Sequence, residues 1–435
     1  MNAQANTPFY GWYGDDFTGA TDTLATLSRR GVRALLFLGP PSEQQLAEAG
    51  ELDAIGIAGS ARAMAPVAME AELEPVGRFF AAAGVRILHY KCCSTFDSAP
   101  HIGNIATAMK VLRRFVSLKQ AFILGGQPSL GRYCTFGNLF AAAGASDVHR
   151  LDRHPTMSRH PSTPMMEADL RRHLQALGAG EIGLVPWTAL DSGNITPGAQ
   201  PNVLFDAQTQ DHIATIGIAL NRLAHEGSFL IVGASSVAEA AYHDRAVSPP
   251  GLAATNGGPV LAIAGSLSPL TRLQIEAATS FIRVEADAER FVSEQTYRDR
   301  LATKVSLALC EDRHVLLSTA PHDSASISSA NVELAEAMGR FVDHVLKQVP
   351  IRRLIAAGGD TSSHLAQNLG LWGLAYGGQL SPGVAISTSR SDNPHRDGMT
   401  LMLKGGQMGS VDLFDRFAAL SGTINNKIDR PALSR

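Results

Sequence analysis

The chain has 435 residues, which is long for one hydrophobic core, so two domains are the default expectation. Hydrophobic residues make up 45% and charged residues 18% of a chain with net charge −3 and no Lys/Arg block, which argues against nucleic acid as a partner. No apolar run of about 18 residues predicts a membrane span, the first residues lack the pattern of a secretory signal, and four cysteines, two of them adjacent, predict reduced thiols in a cytoplasmic protein.

Short apolar runs alternate with helical patterns along the whole chain, which predicts an α/β architecture with largely parallel sheets. The predicted strands of the first half are VRALLFLG, LDAIGIAG, VRILHYK, QAFILGG, EIGLVP, PNVLFDA and SFLIVGAS. AVSPPGLAATNGGPV, residues 246–260, has prolines and glycines without periodicity and predicts a linker. Beyond it VLAIAGS, HVLLST, RRLIAAGG and MTLMLKGG continue the alternation. We therefore expect two α/β domains, residues 1–247 and 258–430, that meet at a cleft holding the active site.

Two adjacent carboxylates follow the first predicted strand, in the stretch YGDDFTGATD. Asp15 and Asp16 fall between this strand and a helical pattern that ends at Gly31, so they lie at the carboxyl end of a strand, where open α/β sheets bind ligands. Capping of the helix would explain one carboxylate but not two. We expect at least one of them to act on a ligand.

Two further strand ends carry polar residues. Lys91, Ser94 and Thr95 follow VRILHYK, and Ser60 and Arg62 follow LDAIGIAG. A lysine at a strand end is often only a solvated charge. If the strand ends meet, however, they place two carboxylates, a lysine and an arginine around one space, which suits a small, hydroxylated, anionic ligand.

Three loops of the second half are rich in glycine. In IAAGGDTSSHLAQNLG a strand runs into Gly358-Gly359 and then into a helix, whose free amides favour phosphate. Residues 265–268 repeat the strand–turn–helix pattern, and LKGGQMG, residues 403–409, adds another glycine-rich strand end. Together these loops predict a site for nucleotide phosphates.

Other classes of protein fit less well. The chain has no P-loop, and its single G-x-G-x-x-G, at 178–183, follows a helix instead of a strand. This order counts against an oxidoreductase with a nucleotide cofactor. A non-catalytic sensor of the small, hydroxylated, anionic ligand would not need the phosphate loops, and titration with ATP would separate it from an enzyme that uses the nucleotide.

Four motifs, taken in order, resemble those of the four-carbon acid sugar kinase family over nearly the whole chain. DDFTGA at 15–20, GSLSPLT at 265–271, GGDTS at 358–362 and LKGGQMG at 403–409 match the family patterns. The resemblance implies an acid sugar bound in the first domain, with contacts from Asp16, Arg62 and Lys91, and ATP bound in the second. With the loop residues around them, the predicted nucleotide-binding residues are Ser266, Ser268, Gly358, Gly359, Asp360, Thr361, Gly405 and Gly406.

The expected reaction is ATP-dependent phosphorylation of a hydroxyl on a small acid sugar, with Mg²⁺ bridging the phosphates. Asp15 and Asp16 would bind and deprotonate that hydroxyl, in an order that the sequence leaves open, and Lys91 or Arg62 would hold the substrate carboxylate. The sequence assigns no protein ligand to the metal. A homo-oligomer is a candidate assembly.

One loop departs from the family pattern. Relatives that act on threonate and erythronate carry a KIDSTLRG-like loop, where this chain has KCCSTFDS, so Cys93 replaces an acid and Asp97 an arginine. Some relatives phosphorylate a branched oxo-acid, 3-oxo-isoapionate. The altered loop favours such a substrate over a plain tetronate, which stays the alternative.

Overall fold

The computed structural model describes residues 7–143, 147–160, 162–193, 195–248, 251–252, 255–265, 268–319, 330–381, 383–406 and 408–420, apart from the side chains of 330–332 and 360. The chain divides into two compact units, Met1–Ser248 and Pro249–Arg435. Each unit is built around a sheet in which most neighbouring strands are parallel. The prediction of an α/β fold with largely parallel sheets is confirmed.

The main sheet of the first unit is parallel throughout its described pairs. Its strands are β1 Tyr10–Gly14, β2 Ala34–Phe37, β3 Ala54–Ala58, β4 Ile87–Lys91, β5 Ala121–Leu124, β9 Ile182–Val185, β10 Asn202–Phe205 and β11 Phe229–Gly233. Their order across the sheet is β2-β3-β1-β4-β11-β5-β10-β9. Because helices cover both faces of such sheets, the central strands read as continuous apolar runs, and β5 and β11 are buried at every position.

Helices join these strands. They are α1 Phe17–Ser28, α2 Glu43–Ala49, α3 Pro66–Ala83, α4 Ile105–Leu112, α5 Leu170–Ala176, α6 Trp187–Asp191, α7 Gln210–Glu226 and α8 Ser236–Ala241. The first of them ends as predicted: Gly31 has a φ of +68°, and the N–H of Val32 donates to the carbonyl of Leu27 in a Schellman arrangement. The helix α1 therefore returns the chain to the start of β2.

An antiparallel ribbon interrupts the alternation of the first unit. It consists of β6 Arg132–Thr135, β7 Asn138–Ala143 and β8 Asp147–Arg150. The sequence analysis did not predict it, because these strands are short and half exposed and carry no long apolar run. The turn between β6 and β7 is held by Asp206, a fully buried carboxylate that accepts the N–H groups of Phe136 and Gly137 at 2.7 and 2.9 Å.

The sheet of the second unit is mixed. Its strands are β12 Val260–Ala264, β13 Phe281–Glu285, β14 His314–Ser318, β15 Arg353–Ala357, β16 Leu371–Ser381, β17 Val384–Ser391 and β18 Thr400–Lys404, in the order β13-β14-β12-β15-β18-β17-β16. Pairing is parallel from β13 to β18 and antiparallel across β17. The described helices are α9 Pro269–Ala277, α10 Ala288–Ser293, α11 Gln295–Cys310, α12 Ala330–Gln348, α13 Gly359–Asn368 and α14 Leu413–Ala418.

In each unit, the strand order brings chemically important loops together. In the first unit β3, β1 and β4 are neighbours, so the loops that carry Arg62, Asp15 and Lys91 leave the same edge side by side. In the second unit β12, β15 and β18 are neighbours, which does the same for the three glycine-rich loops. These two edges are where ligand sites are expected in open α/β sheets.

Candidate active site

Arg62 holds the adjacent carboxylates of Asp15 and Asp16. It lies in a short 3₁₀ turn, Ala61–Ala63, directly after β3. Its Nη2 and Nε atoms donate to the two carboxylate oxygens of Asp15 at 2.7 and 3.3 Å, and its Nη1 donates to Asp16 at 2.8 Å. One guanidinium thus offsets the repulsion between the two carboxylates, and three of its five donors are used.

The two carboxylates differ in depth and in role. The Asp15 side chain is 5% exposed and the Asp16 side chain 31% exposed. The second oxygen of Asp16 accepts the N–H of Gly19 at 2.7 Å, so Asp16 is also the N-cap of α1. Burial raises the pKa of Asp15 to about 6, even though the Arg62 guanidinium lowers it and only the Asp16 charge adds to the effect. Asp15 is the inner and Asp16 the outer member of the pair.

Lys91 is buried beside this pair. It is 4% exposed, and its Nζ donates to the carbonyl of Cys92 at 2.8 Å. Gly19 leaves room for it, because a Cβ at Gly19 would lie 2.5 Å from Asp16 Oδ1 and 2.9 Å from Lys91 Nζ. Lys91 is therefore a buried residue and not a solvated charge at the strand end. The close approach of Asp16 and Lys91 explains why the DDFTGA motif has a glycine at position 19.

The loop after β4 contains a chain of hydrogen bonds. The hydroxyl of Thr95 donates to Asp97 at 2.5 Å, so the 2.9 Å contact between Cys93 Sγ and the same hydroxyl has the thiol as donor. Burial and the Asp97 charge raise the pKa of the Cys93 thiol to about 11. Burial opposes ionisation of Asp97, but the Arg62 charge and the Thr95 hydrogen bond outweigh it and lower its pKa. Ser94, beside this chain, is half-buried.

The glycine pair of the second unit opens α13. Gly358 has a φ of +128°, which favours glycine, and its N–H donates to the carbonyl of Lys404 at 2.9 Å. The first intrahelical bond runs from the N–H of Ser362 to Gly358, so the amides of 359–361 form the free helix start. A Cβ at Gly359 would meet no atom within 4 Å. The helix start therefore faces open space, as an anion site requires.

Two hydroxyls join the other two glycine-rich loops. Ser268 and Thr271, at the start of α9, each donate to the carbonyl of Gly406 at 2.8 Å. The hydroxyl of Thr361 lies 2.6 Å from the position that a Cβ at Gly265 would take. The three loops are thus in contact at one edge.

For three predicted nucleotide-binding residues, the structure describes less than for the others or gives no side-chain contact. Ser266 lies outside the described residues, and for Asp360 only the backbone, within α13, is described. Gly405 directly precedes Gly406 at the half-buried end of β18.

Two models of known domains match the chain. A sugar-binding N-terminal domain matches residues 10–241, and a nucleotide-binding C-terminal domain matches residues 261–414. The chain belongs to the four-carbon acid sugar kinase family. It is thereby an enzyme of the kinase class that acts on acid sugars.

Similar kinases span almost the whole chain. A 3-oxo-isoapionate kinase of Paraburkholderia graminis is 36% identical and covers 93% of this chain and 92% of its own length. A 3-oxo-tetronate kinase of Burkholderia multivorans is 29% identical, with 97% and 100% coverage. The solved structure of a Haemophilus influenzae protein superposes with a TM-score of 0.73 at 24% identity, over 94% of this chain and 99% of that one. That last likeness shows the fold alone.

Sequence reasoning missed two polar residues of the nucleotide-binding half of this kinase. Lys404, 1% exposed, ends β18 and donates from Nζ to Thr271 Oγ1 at 3.1 Å. Thr319, also 1% exposed, follows β14 and has a side-chain hydroxyl without a hydrogen-bond partner among the described residues. The lysine of the LKGG stretch was the available signal for Lys404, but its burial is a property of the fold.

No helix in the described part of the chain is long and apolar enough to cross a membrane. No group of three or more His, Cys, Asp or Glu side chains there could hold a metal ion.

Proposed function

We propose that this acid sugar kinase transfers the γ-phosphoryl group of ATP to a hydroxyl of a branched oxo-acid of the 3-oxo-isoapionate type. The feature that supports the substrate class is the loop after β4, KCCSTFDS, in which Cys93 and Asp97 depart from the KIDSTLRG-like pattern that the family resemblance implies for tetronate kinases. The 36% identity to a 3-oxo-isoapionate kinase supports the same choice.

On the sugar side, Asp16 is the group that we assign to the reacting hydroxyl. It is the more exposed member of the pair, and it is fixed by the Gly19 amide and by Arg62. It accepts the hydroxyl proton as the oxygen attacks the γ-phosphorus, and the bond from that phosphorus to the ADP oxygen breaks. Asp15, held by two Arg62 donors, positions the guanidinium.

Arg62 and Lys91 are the cations that we assign to the acid end of the substrate. Arg62 keeps two donors that the aspartates do not use. Ser94 and Thr95 follow Lys91 in the same loop, and the donor of Thr95 is already directed to Asp97. We therefore assign Thr95 to the shape of the loop and Ser94 to a substrate hydroxyl.

The Cys93 edge of the loop is neutral. With a pKa of about 11, Cys93 stays a thiol at physiological pH, and the charge of Asp97 is directed inward to Thr95. The Cys93 side of the loop therefore offers no strong acceptor for the hydroxyls of a tetronate and no cation for its carboxylate. It suits a carbonyl-bearing or branched part of the ligand.

On the nucleotide side, the geometry fits phosphates. The open space at Gly359, the free start of α13 and the buried ammonium of Lys404 together offer amide donors and a positive charge. We assign Gly358, Gly359, Thr361 and Gly406 to contacts with ATP. Mg²⁺, held chiefly by the phosphate oxygens, would neutralise charge that develops during transfer.

The test is an ADP-release assay on a panel of threonate, erythronate, 3-oxo-tetronates and 3-oxo-isoapionate. We expect the highest kcat/KM for 3-oxo-isoapionate, and a several-fold loss of that preference in the Cys93→Asp, Asp97→Arg double variant. A tenfold preference of the wild type for a tetronate would overturn the substrate class and leave the kinase intact.

A tetronate or its 3-oxo derivative is the second candidate, favoured by the relatives named 3-oxo-tetronate kinase at 27–29% identity. The division of labour between a sugar domain at 1–247 and an ATP domain at 258–430 is part of this proposal. A homo-oligomer and a cytoplasmic location stay predictions; light scattering and cell fractionation test them.

A further inference from the structure

Lys404 places an ammonium group inside the second unit, and no described side chain gives it a carboxylate partner. The residue is 1% exposed, and its Nζ donates to the hydroxyl of Thr271 at 3.1 Å. No ion pair joins it to a described side chain. A buried ammonium with one neutral partner is costly, because two of its three donors and its charge are not compensated by any described residue.

The position of this ammonium is fixed by the loops that we assign to the nucleotide. The backbone carbonyl of Lys404 accepts a hydrogen bond from the N–H of Gly358, and the hydroxyl of Thr271 donates a hydrogen bond to the carbonyl of Gly406. The hydroxyl oxygen of Thr271 is therefore oriented to accept from the lysine and cannot also donate to a ligand. The lysine is thus held between the glycine pair before α13 and the first turn of α9.

A second unsatisfied group lies at the same edge. The N–H of Thr319 donates to the carbonyl of Ala264 at the end of β12, which neighbours β15, the strand that runs into Gly358. Its side-chain hydroxyl is buried and has no partner among the described residues. Buried polar groups are normally hydrogen-bonded. An unpaired hydroxyl at the carboxyl edge of the sheet that also carries Lys404, with β12 and β15 between the two residues, therefore points to a polar ligand along this edge.

We propose that Lys404 contacts the phosphate chain of the bound nucleotide and that nucleotide binding draws a proton onto it. This inference rests on the proposed function, because that function supplies the nucleotide. Phosphate oxygens would accept the two remaining N–H groups of Lys404 and supply the charge that the protein lacks. The ammonium of Lys404 would thus gain its counter-charge and its remaining hydrogen-bond acceptors only when the nucleotide is bound.

The protonation of Lys404 is set by burial. Burial lowers the pKa of Lys404 to about 8. The titratable groups with described side chains on the flanking elements are His364 on α13, Arg272 and Glu276 on α9, Arg353 on β15 and Arg390 on β17. None of them contributes to the shift. An adjacent phosphate favours the charged form and raises the pKa again, so binding near pH 8.5 takes up protons.

Calorimetric titration of ADP into the full-length enzyme at pH 8.5, in two buffers of different ionisation enthalpy, measures this uptake. Phosphate groups are fully ionised at this pH and do not contribute. We expect the wild type to take up roughly half a proton per ADP. We expect Lys404→Met to take up almost none and to bind ADP at least tenfold more weakly. Lys304→Met, which removes an exposed lysine of α11, should behave like the wild type.

Two further measurements separate the role in binding from damage to the fold. Adenosine, which has no phosphate, should bind wild type and Lys404→Met equally. Without nucleotide, Lys404→Met should melt at a higher temperature than the wild type, because an uncompensated buried charge is gone. A lower melting temperature together with equal loss of adenosine and ADP affinity would overturn the proposal, as would wild-type proton uptake in the variant.

The outcomes also separate this inference from the proposed function. Equal ADP affinity and proton uptake in wild type and Lys404→Met overturn the role of Lys404 and leave an acid sugar kinase in place. A clear loss in the variant, found in an enzyme that phosphorylates no acid sugar on the panel, supports the role of Lys404 and overturns the substrate. A wild type that binds no ADP overturns both.

Discussion

Replacing Asp15 by asparagine should change how the stability of the first unit responds to pH. Burial raises the pKa of Asp15 from 3.8 to about 6, so between these pH values the folded protein holds a proton that the unfolded chain has released. The folded state binds more protons there, and stability falls as the pH rises through this window. The ionised carboxylate therefore costs about 3 kcal/mol at neutral pH.

Asparagine keeps the shape of the side chain and one acceptor for Arg62 but carries no charge. In the wild type, about 2 kcal/mol of the cost of ionising Asp15 develops between roughly pH 4.5 and 7, and the variant does not have this cost. For a unit of this size, that corresponds to a change of about 4–8 °C in the difference between the melting temperatures of Asp15→Asn and wild type. Differential scanning calorimetry at pH steps across this range measures the difference, which should rise in favour of the variant.

Asp53 offers a control of the opposite sign. Hydrogen bonds from Arg33 lower the pKa of Asp53, so its contribution to stability is present at neutral pH and is lost as the pH falls through the lowered value. Asp53→Asn should therefore be most harmful at neutral pH and less so in acid. A difference between Asp15→Asn and wild type that stays flat within about 1 °C over the whole range would refute the burial argument.

Three other changes test the two ligand sites. Gly359→Val should weaken ATP binding at least tenfold, about 1.4 kcal/mol, because its side chain fills the open space at the start of α13. Calorimetry should show unchanged folding and unchanged acid-sugar binding. Equal ATP affinity in variant and wild type would show that this loop is not part of the site. Asp16→Asn should lower kcat by about 10² or more with a retained circular dichroism spectrum, and full turnover would contradict its role as base. Gly19→Ala should lower the melting temperature although alanine favours helices, because its Cβ displaces the Asp16 cap at a cost of about 1 kcal/mol. The control is Gly39→Ala, whose Cβ would meet no atom within 4 Å.

The parallel sheets could be predicted because their signal is local. Strands such as β11 and β12 are short, continuous apolar runs, and each is followed by a turn and in most cases a helical period. The antiparallel strands of the second unit could not be predicted in this way. The strand β16 carries glycines, both β16 and β17 carry half-buried polar residues, and the two strands depend on pairing with each other for their structure.

The site could be located but not assembled from the sequence. Strand ends pointed to Asp15, Asp16, Lys91 and Arg62. The sequence did not show, however, that Arg62 binds both aspartates, which lie more than forty residues away. The burial of Lys404 is equally non-local, because it depends on how α9 covers the end of β18. A local pattern names chemical groups, whereas their pairing follows from the order of strands in the sheet.

The two halves of the chain differ in how completely they compensate a buried charge. In the first unit Arg62 forms ion pairs with both Asp15 and Asp16, so the groups assigned to the acid sugar are preorganised before it binds. In the second unit the hydroxyl of Thr271 is the one side-chain partner of Lys404 within the described part of the chain. If phosphate is the partner of Lys404, the buried charge of the second unit is balanced only when the nucleotide is bound. Nucleotide affinity should then fall as the pH rises above about 8, where Lys404 loses its proton, while the affinity for the acid sugar stays unchanged.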